Sequence, residues 1–307
     1  MESAKAFAPG NISCIFVIKR TKNPAKSGSL GLGFTVNKGV KVTIKKLYNI
    51  KKNNFKKFNN KIINTKNIKN RIYYNNKKTN LPTINSVIEK LTNEKVIVNI
   101  KSELPLGCGF GISGASAIAT AYALNKLLNL KRTKKGLALI AHIAEIENRT
   151  GLGDVVNQFY GGFLIKYKPS YMFKVNKIPI KNKKIYYKYF SGINTKKIIS
   201  NKKNKNKINN SGLNSLNKIK KFKKLNLKNL IKLSKEFSYD SGLLKNKKVI
   251  EIIKKIENKG GNASMIMLGN AVFSDSYFKG SKILIIKDKG ACLYSKKIKQ
   301  LKYSINK

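Results

Sequence analysis

The chain has 307 residues, of which 41% are hydrophobic, and its 65 lysines and arginines outnumber 13 acidic residues to give a formal charge of +52. This length allows a sizeable core shared between two domains of ordinary size, and no apolar run reaches the roughly 20 residues that a bilayer-spanning helix needs. The first residues, MESAKAFAPGN, lack a basic segment followed by an apolar one, so we predict no signal peptide and expect a cytoplasmic protein.

The positive charge by itself suggests a nucleic-acid partner. Only four of the basic residues are arginine, the side chain that binds bases and phosphates through two parallel hydrogen bonds. Lysine occurs together with asparagine and isoleucine, as in KKNNFKKFNNKIINTKNIKN at 51–70, and A and T alone can encode all three. A base-composition bias explains this pattern better, so we predict no specific nucleic-acid ligand and only non-specific attraction to polyanions at low salt.

The N-terminal part of the chain is predicted to form strands. Residues 5–18 are strand-like but are interrupted at Pro9 and Gly10, two residues that end regular structure. The glycine-rich segment SGSLGLGFTV at 27–36 leads to VKVTI at 40–44, where alternating apolar residues indicate a further strand.

The middle of the chain is predicted to combine strands and helices. Residues 51–80 are polar and are expected to form solvent-facing strands and turns, followed by a helix at 81–91 and a strand at 96–102. Small residues then indicate a closely packed helix from Ser113, its predicted N-cap, to Asn129. The helix at about 133–149 is apolar on nearly every side, which predicts a central position.

The order of the remaining elements predicts the fold class. A break at 150–154 leads to a short segment and a strand, strand-like sequence begins near 169, and a helix-rich region at 215–258 precedes two final strands. Strands and helices alternate without a long βαβ series, which favours an α+β fold in two lobes. We place the boundary between 1–168 and 169–307.

The segment GCGFGISGAS at 107–116 contains the spelling G-x-G-x-x-G. A Rossmann fingerprint needs an acidic residue about 20 residues later, where this chain has LKRTKK, and a Walker A loop needs lysine where this loop has alanine. The glycines still allow close approach of the backbone to a ligand at a helix N-terminus. The loop alone is consistent with a phosphate cradle and equally with a tight turn that binds nothing.

Three segments resemble the motifs of the GHMP kinases, which include galactokinase, homoserine kinase and mevalonate kinase. AFAPGNIS at 6–13 is similar to their A-P-G-K motif, LPLGCGFGISGAS at 104–116 to their P-x-x-x-G-L-G-S-S-A loop, and TGLGDVVNQFYGG at 150–162 to the segment of their aspartate base. With SGSLGLG and ASMIMLGNAVF, these segments are most similar to the archaeal pantoate kinases within that superfamily.

The resemblance implies a two-lobed GHMP kinase fold with an N-terminal nucleotide-binding lobe and a C-terminal α/β sandwich lobe. It implies ATP-dependent phosphorylation of pantoate to 4-phosphopantoate for coenzyme A biosynthesis, with Mg²⁺, in a homodimer. Another small hydroxyl acceptor, such as shikimate, homoserine or mevalonate, is the alternative.

By the same resemblance, the loop residues bind ATP. They are Pro105, Gly107, Gly109, Gly111, Ser113 and Gly114. Ser113 corresponds to the family's Mg²⁺ and phosphate serine, and Asp154 to the catalytic base near the accepting hydroxyl. Without the resemblance, Asp154 is a lone carboxylate in a place where a helix N-cap is the usual explanation.

The helix at 133–149 is expected to supply the second metal ligand. Its residues His142, Glu145 and Arg149 are spaced i, i+3 and i+7 and share one face. Glu147 points about 140° away from His142. We therefore assign Mg²⁺ to Ser113 and Glu145, which are both also catalytic candidates, and keep Glu147 as the alternative.

The resemblance assigns pantoate to Ser29, with Ser27 as the alternative, and to His142 and Lys166. A single histidine on an apolar helix is also typical of a satisfied core residue. Lys166 stands where the family has arginine, which keeps the charge but loses the bidentate fork, and Arg149 could share this role.

A second departure from the family motifs is Asn11, which stands where many GHMP kinases have the lysine of A-P-G-K. The third glycine-rich motif is also reduced, because ASMIMLGNAVF contains only Gly269.

Overall fold

The computed structural model describes residues 3–47, 69–193, 195, 198 and 202–294. The strands are β1 (Ser3–Lys19), β2 (Gly28–Lys46), β3 (Arg71–Tyr74), β4 (Lys77–Lys78), β5 (Val96–Ser102), β6 (Phe163–Lys166), β7 (Asn176–Ile178), β8 (Lys184–Gly192), β9 (Ala263–Met265), β10 (Gly269–Ser274), β11 (Lys282–Ile285) and β12 (Cys292–Leu293). The helices are α1 (Pro82–Leu91), α2 (Ile112–Leu128), α3 (Lys134–Asn148), α4 (Asp154–Tyr160), α5 (Lys202–Lys220), α6 (Leu227–Asp240) and α7 (Lys247–Glu257). No helix in these ranges is long and apolar enough to cross a membrane.

Two sheets form the framework of the described ranges. The larger follows the order β12-β1-β2-β5-β3-β4, and β6 joins it by pairing with β2 and with β7. The smaller follows the order β11-β8-β10-β9. This mixture of sheets and helices confirms the predicted α+β class.

Strands β1 and β2 form a long antiparallel hairpin at the centre of the larger sheet. Their pairing runs from Ser3 opposite Lys45 to Lys19 opposite Gly28, with a register shift between Pro9 and Asn11. The predicted interruption of the first strand is therefore wrong, because a bulge accommodates the proline, which has no backbone N–H, without ending the strand. The glycine-rich segment and VKVTI likewise belong to a single strand, β2.

Helix α2 confirms the predicted closely packed helix, and α3 confirms a helix at 133–149 that packs on α1, α2 and α4, with Leu139, Ile140 and Ile143 partly exposed. The alanines of α2 are fully buried, and α2 packs on β1, β2, α1, α3 and α4. The predicted N-cap at Ser113 is wrong, because α2 begins after Gly111, whose φ of 63° lies in the left-handed region. Glycine adopts that conformation readily, and Ser113 lies in the first turn instead.

The chain after residue 168 contributes to both sheets. Strand β7 pairs with β6, and β12 pairs with β1, while β8 to β11 form the smaller sheet. Helices α5 to α7 confirm the predicted helix-rich region, and the boundary between residues 168 and 169 stays a prediction. Of the polar segment 51–80, residues 51–68 lie outside the described ranges, and β3 and β4 confirm strands in the remainder.

Candidate active site

A cavity of about 400 Å³ lies between the β1–β2 hairpin, the glycine loop and the loop that joins α3 to α4. The lining includes Ser13, Ser29, Gly107, Gly109, Gly111, Ser113, Gly151, Gly153, Asp154, Lys166, Met267 and Leu268. Segments that are far apart in sequence therefore meet around one space large enough for a small molecule.

The glycine loop is shaped by left-handed backbone conformations. The φ angles are 78° at Gly107, 85° at Gly109 and 63° at Gly111, and side chains disfavour such values. A Cβ at Gly109 would lie 2.6 Å from the Met267 carbonyl oxygen, and one at Gly269 would collide with Cys108. The single glycine of the third motif is therefore needed for close contact with the loop.

The start of α2 offers backbone donors to the cavity. Its N-cap, Gly111, makes no side-chain capping bond, and the first N–H groups of a helix have no acceptor within the helix. Ile112 and Ser113 in this first turn line the cavity. Free N–H groups at the positive end of a helix form an anion site that suits phosphate.

Asp154 lies at the start of α4 within a polar cluster. Asn11 Nδ2 donates to Asp154 Oδ1 at 2.6 Å, and Ser13 Oγ donates to the same oxygen at 3.2 Å. Burial raises the pKa of Asp154, while the ammonium group of Lys166 and the hydrogen bonds from Asn11 and Ser13 oppose this rise. A carboxylate held in this way can accept a proton from a bound hydroxyl group.

Lys166, at the end of β6, is the buried cation of the site. Its Nζ donates to Asn157 Oδ1 at 2.6 Å and to the Gly153 carbonyl at 3.3 Å. Burial lowers the pKa of Lys166 to about 8, and the nearby Asp154 carboxylate opposes this change. A lysine ammonium has three N–H groups, so one remains for a bound anion.

Glu145 is buried on α3 behind the lining residues. Thr150 Oγ1 donates to its Oε1 at 3.1 Å. Burial raises the pKa of Glu145 to about 8, the Asp154 carboxylate adds to the rise, and the hydroxyls of Ser113 and Thr150 oppose it. The Glu145 carboxylate packs against Gly151 so closely that position 151 has no room for a side chain, because a Cβ there would collide with Glu145 Oε2.

Two buried oxygens beside α2 have no hydrogen-bond donor among the described residues. They are Glu145 Oε2 and Gln158 Oε1, and a Cβ at Gly114 would lie 2.7 Å from the first and 2.9 Å from the second. Oxygen acceptors without donors fit a hard cation such as Mg²⁺. The described ranges contain no cluster of three His, Cys, Asp or Glu side chains, so a cation here would depend on water and phosphate oxygens as well.

The cavity contains most of the residues predicted from sequence. Ser29, Gly107, Gly109, Gly111, Ser113, Asp154 and Lys166 line it. Four other predicted site residues, all within the described ranges, do not line the cavity: Pro105, Gly114, His142 and Glu145. Glu147, the alternative to Glu145, has an ion pair with Lys90 at 2.8 Å and leaves about 32% of its side chain exposed.

Arg149, the alternative cation for the substrate, also lines the cavity. It follows α3 directly as the C-cap, and its backbone N–H donates to the Ile146 carbonyl at 3.2 Å. The guanidinium of Arg20 donates to the same carbonyl at 3.3 Å. Two of the four arginines therefore meet at the end of α3.

Three polar residues of the site were not predicted from sequence. Ser13 and Asn157 belong to the Asp154 cluster, and Thr150 donates to Glu145. Asn157 could have been found, because it lies three residues after Asp154 in a mostly apolar helix and so shares its face. Ser13 and Thr150 carry no such signal.

His142 is fully buried on α3, and its Nε2–H donates to the Ser27 carbonyl at 3.0 Å. Its Nδ1 has no partner among the described residues. Burial lowers the pKa of His142 to about 4, with a further lowering by Lys166, while the bond to Ser27 opposes the change. The substrate role stays a prediction, and the neutral ring contributes to stability.

Acidification is expected to destabilise the ligand-free protein through His142. The folded-state pKa lies below the ordinary value of 6.5, so this contribution is present above pH 6.5 and is lost as the pH falls towards 4. It amounts to about 3 kcal/mol. Urea unfolding of wild type and His142→Gln at pH 7 and pH 4.5 measures it, because the chain has one histidine. Equal pH dependence in both proteins would contradict the prediction.

Comparison with known proteins identifies relatives along most of the chain. The model of the GHMP kinases N terminal domain matches residues 79–162. The pantoate kinase of Methanocaldococcus jannaschii is 37% identical over 274 residues, which cover 87% of this chain and 90% of the relative. The mevalonate kinase of Thermococcus sibiricus is 36% identical, but over 92 residues that cover 29% of this chain and 27% of the relative.

Solved structures share the fold. A phosphotransferase related to the CoA biosynthesis pathway superposes with a TM-score of 0.79 at 23% identity, covering 95% of this chain and 99% of its own. Agreement over both lobes confirms the predicted two-lobed architecture.

Proposed function

Because the chain belongs to the GHMP kinases, a family of ATP-dependent small-molecule kinases, we propose that it transfers the γ-phosphoryl group of ATP to the 4-hydroxyl group of pantoate. The product, 4-phosphopantoate, is used in coenzyme A biosynthesis. The observation that carries this proposal is the position of Asp154, which lines the same cavity as the glycine loop and the buried cation Lys166. The pantoate kinase that matches over most of both chains supports the acceptor.

In this mechanism, the backbone donors at the start of α2 bind the phosphates of ATP. Asp154 accepts the proton of the pantoate hydroxyl group, and the oxygen of that hydroxyl group attacks the γ-phosphorus of ATP. The bond between the γ-phosphorus and the bridging oxygen breaks, and ADP leaves with that oxygen. Ser13 and Asn11 hold Asp154 in place through their hydrogen bonds.

Ser113 and Glu145 would hold Mg²⁺, since the Ser113 hydroxyl lies beside a buried carboxylate that has an oxygen without a donor. When bound, the ion neutralises negative charge that develops on the phosphate oxygens. Ser113 also lines the cavity, so its hydroxyl is available to phosphate and to the ion from the first turn of α2.

The lining near Asp154 supports pantoate as the acceptor. Pantoate carries a carboxylate and two hydroxyl groups on different carbons. Its two methyl groups are on the same carbon. The cavity offers the free N–H of Lys166 for the carboxylate, the hydroxyl of Ser29, and the apolar side chains of Leu30 and Leu32 for the methyl groups. Among the described lining residues Asp154 is the only carboxylate, which disfavours the ammonium group of homoserine.

A coupled ADP-release assay with Mg-ATP tests the proposal. Pantoate, pantothenate, shikimate, homoserine and mevalonate are presented in parallel, and we expect turnover with pantoate alone. Turnover with mevalonate, homoserine or shikimate in its place would move the assignment to that acceptor. If all five are silent while ATP still binds, the acceptor is wrong.

We also expect the homodimer that the family resemblance implies. Light scattering coupled to size-exclusion chromatography measures the mass directly, and a single species near the 34.5 kDa of one chain would contradict it.

A further inference from the structure

Four side chains form an unbroken series of hydrogen bonds that ends at the candidate base. Lys166 Nζ donates to Asn157 Oδ1 at 2.6 Å, Asn157 Nδ2 donates to Asn11 Oδ1 at 2.9 Å, and Asn11 Nδ2 donates to Asp154 Oδ1 at 2.6 Å. A lysine ammonium only donates and an ionised carboxylate only accepts. The ammonium group of Lys166 by itself therefore fixes the orientation of both amides.

Both amides are built into the fold rather than placed at a surface. Asn11 is 0% exposed and Asn157 is 1% exposed. Strand β2 makes room for Asn157, because a Cβ at Gly33 would lie 2.8 Å from Asn157 Nδ2. The three hydrogen bonds among these four groups all run from donor to acceptor in the same direction, from Lys166 to Asp154.

We propose that Asn157 is a positioning residue that links Lys166 to Asp154 through Asn11 and keeps Asp154 an ionised carboxylate, oriented towards the accepting hydroxyl. The inference rests on the proposed function for the role of Asp154. It explains two departures from the family motifs together. The cation that is absent at position 11 is supplied by Lys166, and the two amides connect it to the base.

A change of one atom tests this role. In Asn157→Asp the carboxylate still accepts from Lys166 but cannot donate to Asn11, so the Asn11 amide turns and directs its oxygen at Asp154. We expect kcat to fall about 10-fold or more, the KM for ATP to stay within about twofold, and the acidic limb of the pH profile of kcat/KM to move up by about one pH unit. The added charge of Asn157→Asp would itself move that limb, so Asn157→Leu, which is neutral, similar in size and unable to donate or accept, must move it as well.

Two further measurements keep the test independent of folding and of the acceptor. Asn157→Leu also replaces Asn157→Asp if that variant does not fold, and combined with Lys166→Met it should cost less than the sum of the single losses. In ligand-free protein, carbon NMR of the Asp154 carboxyl follows its titration directly. We expect the pKa of Asp154 to rise in the single variants at position 157. Glu145 and Lys166, the charged groups facing Asp154, are the same residues in these variants and in wild type.

Asn226→Asp is the matched control, since it makes the same change at the N-cap of α6, where asparagine and aspartate cap equally well. It should leave kcat, the pH profile and the Asp154 titration at their wild-type values. If folded variants at position 157 keep the wild-type acidic limb of kcat/KM and the wild-type titration of Asp154, the inference is wrong. Failure of wild type to phosphorylate pantoate would overturn the proposed function instead, and the NMR titration would still decide the role of Asn157.

Discussion

Asp154→Asn is expected to lower kcat by about 10²- to 10⁴-fold, the range contributed by a positioned general base. Asparagine keeps the size of the side chain and can still bond to Asn11, but it cannot accept the proton of the attacking hydroxyl. The backbone donors of the glycine loop are untouched, so the dissociation constant for ATP should change little. The ADP-release assay gives kcat, and isothermal titration calorimetry gives the affinity for ATP.

Stability separates this loss from damage to the fold. Burial disfavours the ionised form of Asp154, while Lys166 and the hydrogen bonds from Asn11 and Ser13 favour it, so a neutral amide should change the melting temperature little. Asp240→Asn at the exposed end of α6 is the control and should retain wild-type kcat. Preserved turnover in Asp154→Asn would remove this residue from the role of base, and a lower melting temperature would show that the carboxylate is structural.

The sequence predicted the elements that periodicity and composition determine. Apolar residues at helical spacing located α3, and the run of small residues located α2, because both patterns depend on local packing faces. The start of α2 was placed at the wrong residue, since the cap is a glycine whose left-handed conformation has no side-chain signature. A bulge at Pro9 has the same sequence signature as a break, because only pairing with β2 reveals that the strand continues.

The candidate site was predicted through motifs, and its connections were not. Resemblance identified Asp154, Ser113 and Lys166 one by one, and the cavity brings them together. The bonds that join Lys166 to Asp154 pass through Asn11 and Asn157, which come from different ends of the N-terminal region. Such contacts depend on the register of β1 and on the angle of α4, and neither is encoded in local sequence.

Glu145→Gln is expected to separate activity from stability. Without the carboxylate, Mg²⁺ loses its charged protein ligand, and kcat should fall at least ~10²-fold because charge on the phosphates is no longer neutralised. In the ligand-free protein the same change removes a buried acid whose raised pKa of about 8 requires folding to take up a proton near neutral pH. It also introduces an NH₂ group near the unpartnered Gln158 Oε1. The free energy of unfolding in urea should therefore rise, by about 1 to 3 kcal/mol.

Glu147→Gln provides the matched control two residues later on the same helix. Its carboxylate is paired with Lys90 at the surface, where an ion pair contributes about 0 to 1 kcal/mol, so kcat should stay at the wild-type value and stability should change little. Melting temperatures with ADP and increasing Mg²⁺ give a readout that does not depend on turnover. Wild type and Glu147→Gln should be stabilised by the ion, and Glu145→Gln should not. The opposite pattern would assign the metal to Glu147, and equal stabilisation of all three would place it on other groups.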